Sequence, residues 1–207
     1  MEFDAAPSVY FVGIVDDRSH EKSSIAEVLA GYFQRQKKVT IIPFGSFRKS
    51  DISSPCICTS KAYDFDMLFE CLSSLKEGRQ FVFPNGEVLE QSEVMIIEGL
   101  HVFHDPRVRA FFDTKVFVDV DNDERLSSII KMACKEGKDI QQTLLDYQKY
   151  VKPVYDGEMK AQRVYADTVL VGGLNNMSAV KLLVDRIAQV LMLSLSRSNS
   201  PHHHDSS

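Results

Sequence analysis

The chain has 207 residues, with 24 Lys+Arg against 29 Asp+Glu, a formal charge of −5 at pH 7, and 44% hydrophobic and 26% charged residues. That length suits one large domain, or else two small ones, and a domain of this size buries roughly 70% of its unfolded-chain surface and needs neither disulfides nor a metal to fold. An acidic balance without a Lys/Arg-rich run argues against a nucleic-acid-coating protein, although a local basic patch is compatible with it. Asp185 and Arg186 interrupt the most hydrophobic helical stretch, Leu182 to Leu195, which excludes it as a membrane span. Cys56, Cys58, Cys71 and Cys134 are too sparse for a disulfide scaffold and form no CxxC pair, so they read as buried or incidental thiols. The N-terminal Met-Glu-Phe-Asp lacks the apolar core of a signal peptide, and a cytoplasmic, reducing setting is expected.

Val9 to Val15 is a short apolar run rich in β-branched and aromatic residues, as in a buried strand. Ile25, Val28, Leu29, Tyr32 and Phe33 then share one face of a helix. Further strand-like runs follow at Val39–Pro43, Val94–Ile97, Lys115–Val120 and Thr168–Val171. Between and after them lie helical patterns at Phe65/Leu68/Phe69/Leu72, Leu126/Ile129/Ile130/Ala133, Ile140/Leu144/Tyr147/Val151 and Val180/Leu183/Ile187/Leu191. Asn85-Gly86 marks the turn of a short hairpin, and residues 50–62 have the composition of a surface loop. Apolar strands alternating with amphipathic helices indicate an α/β domain with a doubly wound parallel sheet over residues 1–193. Residues 194–207, rich in Ser and His, read as a disordered tail.

In such a sheet, ligands bind beyond the carboxyl ends of the strands. The first such end, Gly13 to Ser24, is a strand followed by Lys22-Ser23-Ser24 opening a helix, where a phosphate-binding loop belongs. The GxxxxGK[ST] pattern is broken there. Lys22 and Ser23 stand in place, but Asp16 and Glu21 occupy the two glycine positions, and Asp17 adds a further carboxylate. Glutamate supplies neither the φ freedom nor the close backbone approach of glycine. Two unit charges about 5 Å apart at an effective dielectric near 20 repel by roughly 3 kcal/mol, about a hundredfold in phosphate affinity.

From about Val9 to Met192 the chain resembles the uridine/cytidine kinases of the phosphoribulokinase–uridine kinase group. The matching segments are Ile97-Glu-Gly-Leu100, Lys115 to Asp121, Asp123-Glu-Arg-Leu126, Tyr147 to Pro153, Tyr165-Ala-Asp167 and Gly172-Gly-x-Asn-Asn176, with Tyr63-Asp64 through Glu77-Gly78 upstream. The resemblance implies a P-loop nucleoside-kinase-like fold with a reduced lid and a reduced nucleoside-binding hairpin. It also implies roles for particular residues, if they are retained. Lys22, Ser23, Ser24, Gly173 and Asn176 would bind nucleotide; Asp64, Leu100 and Lys138 would serve the nucleoside and lid; Ser23 and Glu98 would hold a metal. Glu98 equally reads as a carboxylate that pairs with Lys22 or caps a neighbouring turn.

The chain departs from the family where the chemistry is done. Pro43-Phe-Gly-Ser-Phe-Arg48 replaces the family's Asp-Ser-Phe-Tyr segment, so Gly45 stands at the base position and Arg48 at the tyrosine. A glycine accepts no proton, and general-base assistance is worth roughly 10²–10⁴-fold. Asp51 is a nearby substitute in sequence. The hairpin is shortened to Phe83–Glu90 and lacks the family's aromatic and His, while His101 and His104 read as surface or structural residues. Ser128, Ile129 and Met132 fall at lid arginine positions, leaving Lys131, Lys135 and Lys138 as partial replacements or a solvated face. Arg125 and Asp121 read as pinning the start of the lid helix. The expectation is an inactive uridine-kinase-like protein without a cofactor, acting through a protein partner or a homologous kinase subunit. The alternatives are a divergent active uridine/cytidine kinase using Mg-ATP, or a nucleotide sensor without turnover.

Overall fold

The computed structural model describes residues 9–16, 24–50 and 59–198. Strand β1 (Tyr10–Val15) is buried along its whole length, as its apolar run requires. Helix α1 (Ile25–Phe33) follows, then β2 (Val39–Pro43) and a 3-10 turn, Phe44–Phe47. After a second 3-10 turn, Ser60–Ala62, come α2 (Phe65–Lys76), the small strands β3 (Phe81–Val82) and β4 (Val88–Leu89), and β5 (Val94–Gly99). The short α3 (Pro106–Arg109), β6 (Thr114–Asp119), α4 (Asn122–Lys135), α5 (Ile140–Asp146), a helical run through α6 (Lys152–Val154), β7 (Thr168–Val171) and α7 (Met177–Ser198) complete the chain.

The five long strands form one parallel sheet in the order β2-β5-β1-β6-β7. The chain lays β2 and then β5 on one side of β1, with β5 between the two, and later β6 and β7 on the other, so the strand order reverses at β1 and leaves a crevice there. Strand alternation splits the core in two. Tyr10, Val12, Ile14, Val94 and Ile96 face Leu29 of α1 and Leu183 and Ile187 of α7. Phe11, Val15, Met95, Ile97 and Phe117 face Leu68, Leu72 and Leu75 of α2 together with Phe103 and Phe112. Both faces are covered, as the continuous apolar strands require.

Cys71 lies in the second of these cores, where burial pushes its thiol up to about 12. Its thiolate fraction near neutral pH is then on the order of a thousandfold below that of an ordinary cysteine. Alkylation of the native protein followed by peptide mass mapping is therefore expected to modify the exposed Cys134 and to spare Cys71 until the chain is unfolded.

Asn85-Gly86 makes the expected hairpin. Gly86 sits at φ +86° and its N–H donates to the Phe83 carbonyl, while the Asn85 side chain accepts from Glu87 N. Two features differ from the sequence expectation. The helix anticipated through Val151 ends as α5 at Asp146 and passes into a π-helical turn, Tyr147–Val151. Pro153 lacks the N–H that would continue regular hydrogen bonding, and a widened turn accommodates it. Helix α7 also continues through residues 194–198, assigned by composition to the tail, where Leu191 and Leu195 prolong the i,i+4 apolar spacing. Residues 199–207 lie outside the described residues. No helix among the described residues is long and apolar enough to cross a membrane.

Candidate functional site

Parallel register brings the carboxyl ends of three strands level, since Val15 pairs with Gly99 and Pro43 with Glu98. Above them opens a cleft of about 540 Å³. One wall carries Asp16, Ser24 and Glu27; the floor is Glu98, Gly99 and Leu100; the far wall is the Phe44-Gly45 turn with Arg48 and Tyr63. The floor needs a glycine at 99, because a Cβ there would lie 2.3 Å from Phe44 Cβ.

The start of α1 is closed by the chain's own oxygens. Ser24 is extended, at φ −110° and ψ 166°, and caps the helix. Its hydroxyl accepts from Glu27 N at 3.2 Å, while the Glu27 carboxylate accepts from Ser24 N at 3.0 Å. This reciprocal pair satisfies two end amides at once. Glu98 Oε1 accepts from Ala26 N at 3.3 Å, and the Ser24 carbonyl takes Val28 N. Asp16 is buried beside them, its N–H donating to the Gly99 carbonyl. Of the Lys22-Ser23-Ser24 run, only Ser24 is described; Asp17, Glu21, Lys22, Ser23 and Asp51 lie outside the described residues.

The described wall fits a polyphosphate poorly. Helix N-terminal amides are the natural anion receptor, and here those of Ala26 and Glu27 are already bonded, with Asp16, Glu27 and Glu98 adding carboxylates. Among the described residues no three or more His, Cys, Asp and Glu converge to hold a metal ion.

On the far wall, Gly45 is exposed, and a Cβ built on it meets no described atom within 4 Å. Its φ is not positive, so neither space nor backbone demands glycine there. Arg48 and Tyr63 were not foreseen as partners. Asp64 N donates to Phe47 O and Lys49 N to Ala62 O, which makes Arg48 and Tyr63 an isolated antiparallel pair. The guanidinium lies 5.8 Å from the Tyr63 ring centroid.

The remaining expected residues are dispersed. Leu100 lines the cleft, and its carbonyl accepts from Gln162 Nε2 at 2.8 Å. Asp64 is the N-cap of α2, accepting from Met67 N at 2.9 Å. Gly173 and Asn176 lie past the end of β7, where the Asn176 side chain accepts from Ala179 N in the first turn of α7. Lys138 pairs with Glu136 at 2.6 Å beside a separate cavity of about 210 Å³ between α4 and α5. Lys131 and Lys135 are exposed. Arg125 is buried at the start of α4, donating to Asn122 Oδ1 and the Val120 carbonyl over the Tyr155 ring. His101 is fully buried, with Nδ1 3.9 Å from Glu158 Oε2. Partial burial pushes the Glu158 carboxyl up, but hydrogen bonds from Ser60 and the neighbouring His101 outweigh it and hold it below its usual range.

A five-stranded parallel sheet in this order, with its cleft at the switch point and helices on both faces, is the fold of the P-loop kinases. The profile of the phosphoribulokinase/uridine kinase family matches residues 48–178, and the chain belongs to that family. It is 35% identical over 139 residues to a chloroplastic uridine/cytidine kinase of Arabidopsis thaliana, covering 61% of this chain and 29% of the plant protein. It is 28% identical over 199 residues to the uridine kinase of Streptococcus pneumoniae strain Hungary19A-6, covering 87% of this chain and 93% of the bacterial one. The crystallised phosphoribulokinase of Rhodobacter spheroides superposes with a TM-score of 0.53 at 13% identity, over 81% of this chain and 71% of that one. That likeness concerns the fold alone.

Proposed function

We propose that this chain is a uridine-kinase-like protein that does not transfer phosphate and that acts by binding, either to a protein partner or to a homologous kinase subunit. The observation that carries this reading is the closed start of α1, where Ser24 and Glu98 bond amides suited to a phosphate. Gly45 on the opposite wall supplies no base for a nucleoside hydroxyl. Thermal unfolding with millimolar Mg-ATP, with and without uridine, tests it. A ligand at about a hundred times its dissociation constant stabilises a fold by roughly 2.7 kcal/mol. No shift and no uridine-dependent ATP turnover are expected, and robust turnover would overturn the proposal.

A second reading, a divergent active uridine/cytidine kinase, is supported by the open cleft at the strand ends and by the kinases among the relatives. On that reading Lys22 and Ser23 join Glu98 around Mg-ATP, and nucleotide binding disappears in Lys22→Ala. The same titration separates the two.

A further inference from the structure

The charges on the two walls of the cleft differ in sign. Asp16 and Glu27 stand on the α1 side with Glu98 on the floor, whereas Arg48 stands on the far wall. Arg48 is exposed, and among the described residues its guanidinium makes no ion pair or hydrogen bond; its contact is with the Tyr63 ring. Its placement is nevertheless defined. The bonds Asp64 N to Phe47 O and Lys49 N to Ala62 O flank the Arg48–Tyr63 pair, so it is of the non-hydrogen-bonded kind in which facing side chains come closest. Tyr63 is 4% exposed and held against Phe44, with ring centroids 4.4 Å apart. The arginine thus rests on a fixed ring, beside the open space left by Gly45.

We propose that the far wall of the cleft is a subsite for a single oxyanion, a carboxylate or a phosphate monoester carried by a small molecule, bound by Arg48. A guanidinium presents paired donors that match either group in a bidentate fashion. The carboxylates of Asp16, Glu27 and Glu98 disfavour a second anionic group on the same ligand, which favours ligands with one anionic group over polyphosphates. The inference goes beyond the proposed protein-binding role and assigns the cleft a small-molecule ligand class of its own.

Calorimetric titration of the full chain with uridine, uridine 5′-monophosphate and orotidine tests it, because the three share a nucleoside and differ in carrying no anion, a phosphate or a carboxylate. Charge-assisted hydrogen bonding predicts that at least one of the two anions binds about 10- to 100-fold more tightly than uridine. The arm that gains identifies the group as phosphate or carboxylate. Arg48→Gln is expected to abolish the preference and Arg48→Lys to retain part of it, both with an unchanged melting temperature because the side chain is exposed. Equal binding of all three probes, no detectable binding of either anion, or a preference that survives Arg48→Gln would overturn the proposal. Phosphate transfer from Mg-ATP to uridine in the same samples would overturn the non-catalytic reading and leave an Arg48-dependent preference standing.

Discussion

Gly45→Asp, placed in a protein that also carries Asp16→Gly and Glu21→Gly, is expected to raise phosphate transfer to uridine by roughly 10²–10⁴-fold over the doubly substituted parent. The position faces the cleft, has open space where a side chain would begin, and has no positive φ to preserve. A carboxylate there supplies the proton acceptor that a nucleoside hydroxyl requires. Gly45→Asp alone is expected to change stability by less than about 0.5 kcal/mol, as for an exposed position free of contacts. It should not create turnover in the unmodified chain, because Asp16 and Glu21 still occupy the two glycine positions of the loop. A radiometric nucleoside assay on the four proteins decides. Equal rates with and without the change at 45, in the loop-repaired background, would show that the base is not what the cleft lacks.

Gly99→Ala is expected to be the most damaging single methyl in the cleft floor. The added carbon would meet Phe44 Cβ at 2.3 Å, and a Cβ cannot swing aside as a side-chain tip can. Phe44 is 1% exposed and pinned against Tyr63, so relief must come from the backbone of β5 or of the turn after β2. Overpacking of this kind costs about 3 kcal/mol, which for a domain this size lowers the melting temperature by roughly 6–12 °C. Gly13→Ala meets Phe103 Cε1 at 2.7 Å and Phe112 Cδ2 and Cγ at 2.8 Å, atoms of buried rings that can shift further than a Cβ held by the backbone, and should cost less. Gly31→Ala is the control: it lies in α1 with nothing within 4 Å, and should stabilise by about 0.5–1 kcal/mol. Thermal melts of the three variants give the ranking directly. A Gly99→Ala protein as stable as the parent would mean that the floor of the cleft is far softer than its packing implies.

The central strands β1, β5 and β6 were legible because each is a largely apolar, largely buried run, so neither register nor partner was needed to see it. The hairpin was legible for a local reason too, since Asn85-Gly86 specifies its own turn. The Arg48–Tyr63 pair was not, because it joins segments separated by a stretch whose composition says nothing about where its ends meet. Asp64 was read by family position, whereas its geometry is that of a helix cap, a role that Asp before an apolar helical run also signals. For Glu98 the sequence left a metal role and a capping role open, and the bond from Ala26 N displays the capping contact. The end of α5 escaped periodicity because Pro153 lies seven residues past Asp146, beyond the window in which the apolar spacing still holds.

The contact between Glu98 and Ala26 makes the floor of the cleft a built-in competitor. Because the carboxylate is tethered to β5, it confronts the start of α1 at an effective concentration of millimolar order or above. An anion from solution that binds these amides no better than the tethered carboxylate must match that figure before it occupies half the sites. On the non-catalytic reading proposed above, a strand end with no moving part is what disfavours dilute phosphates.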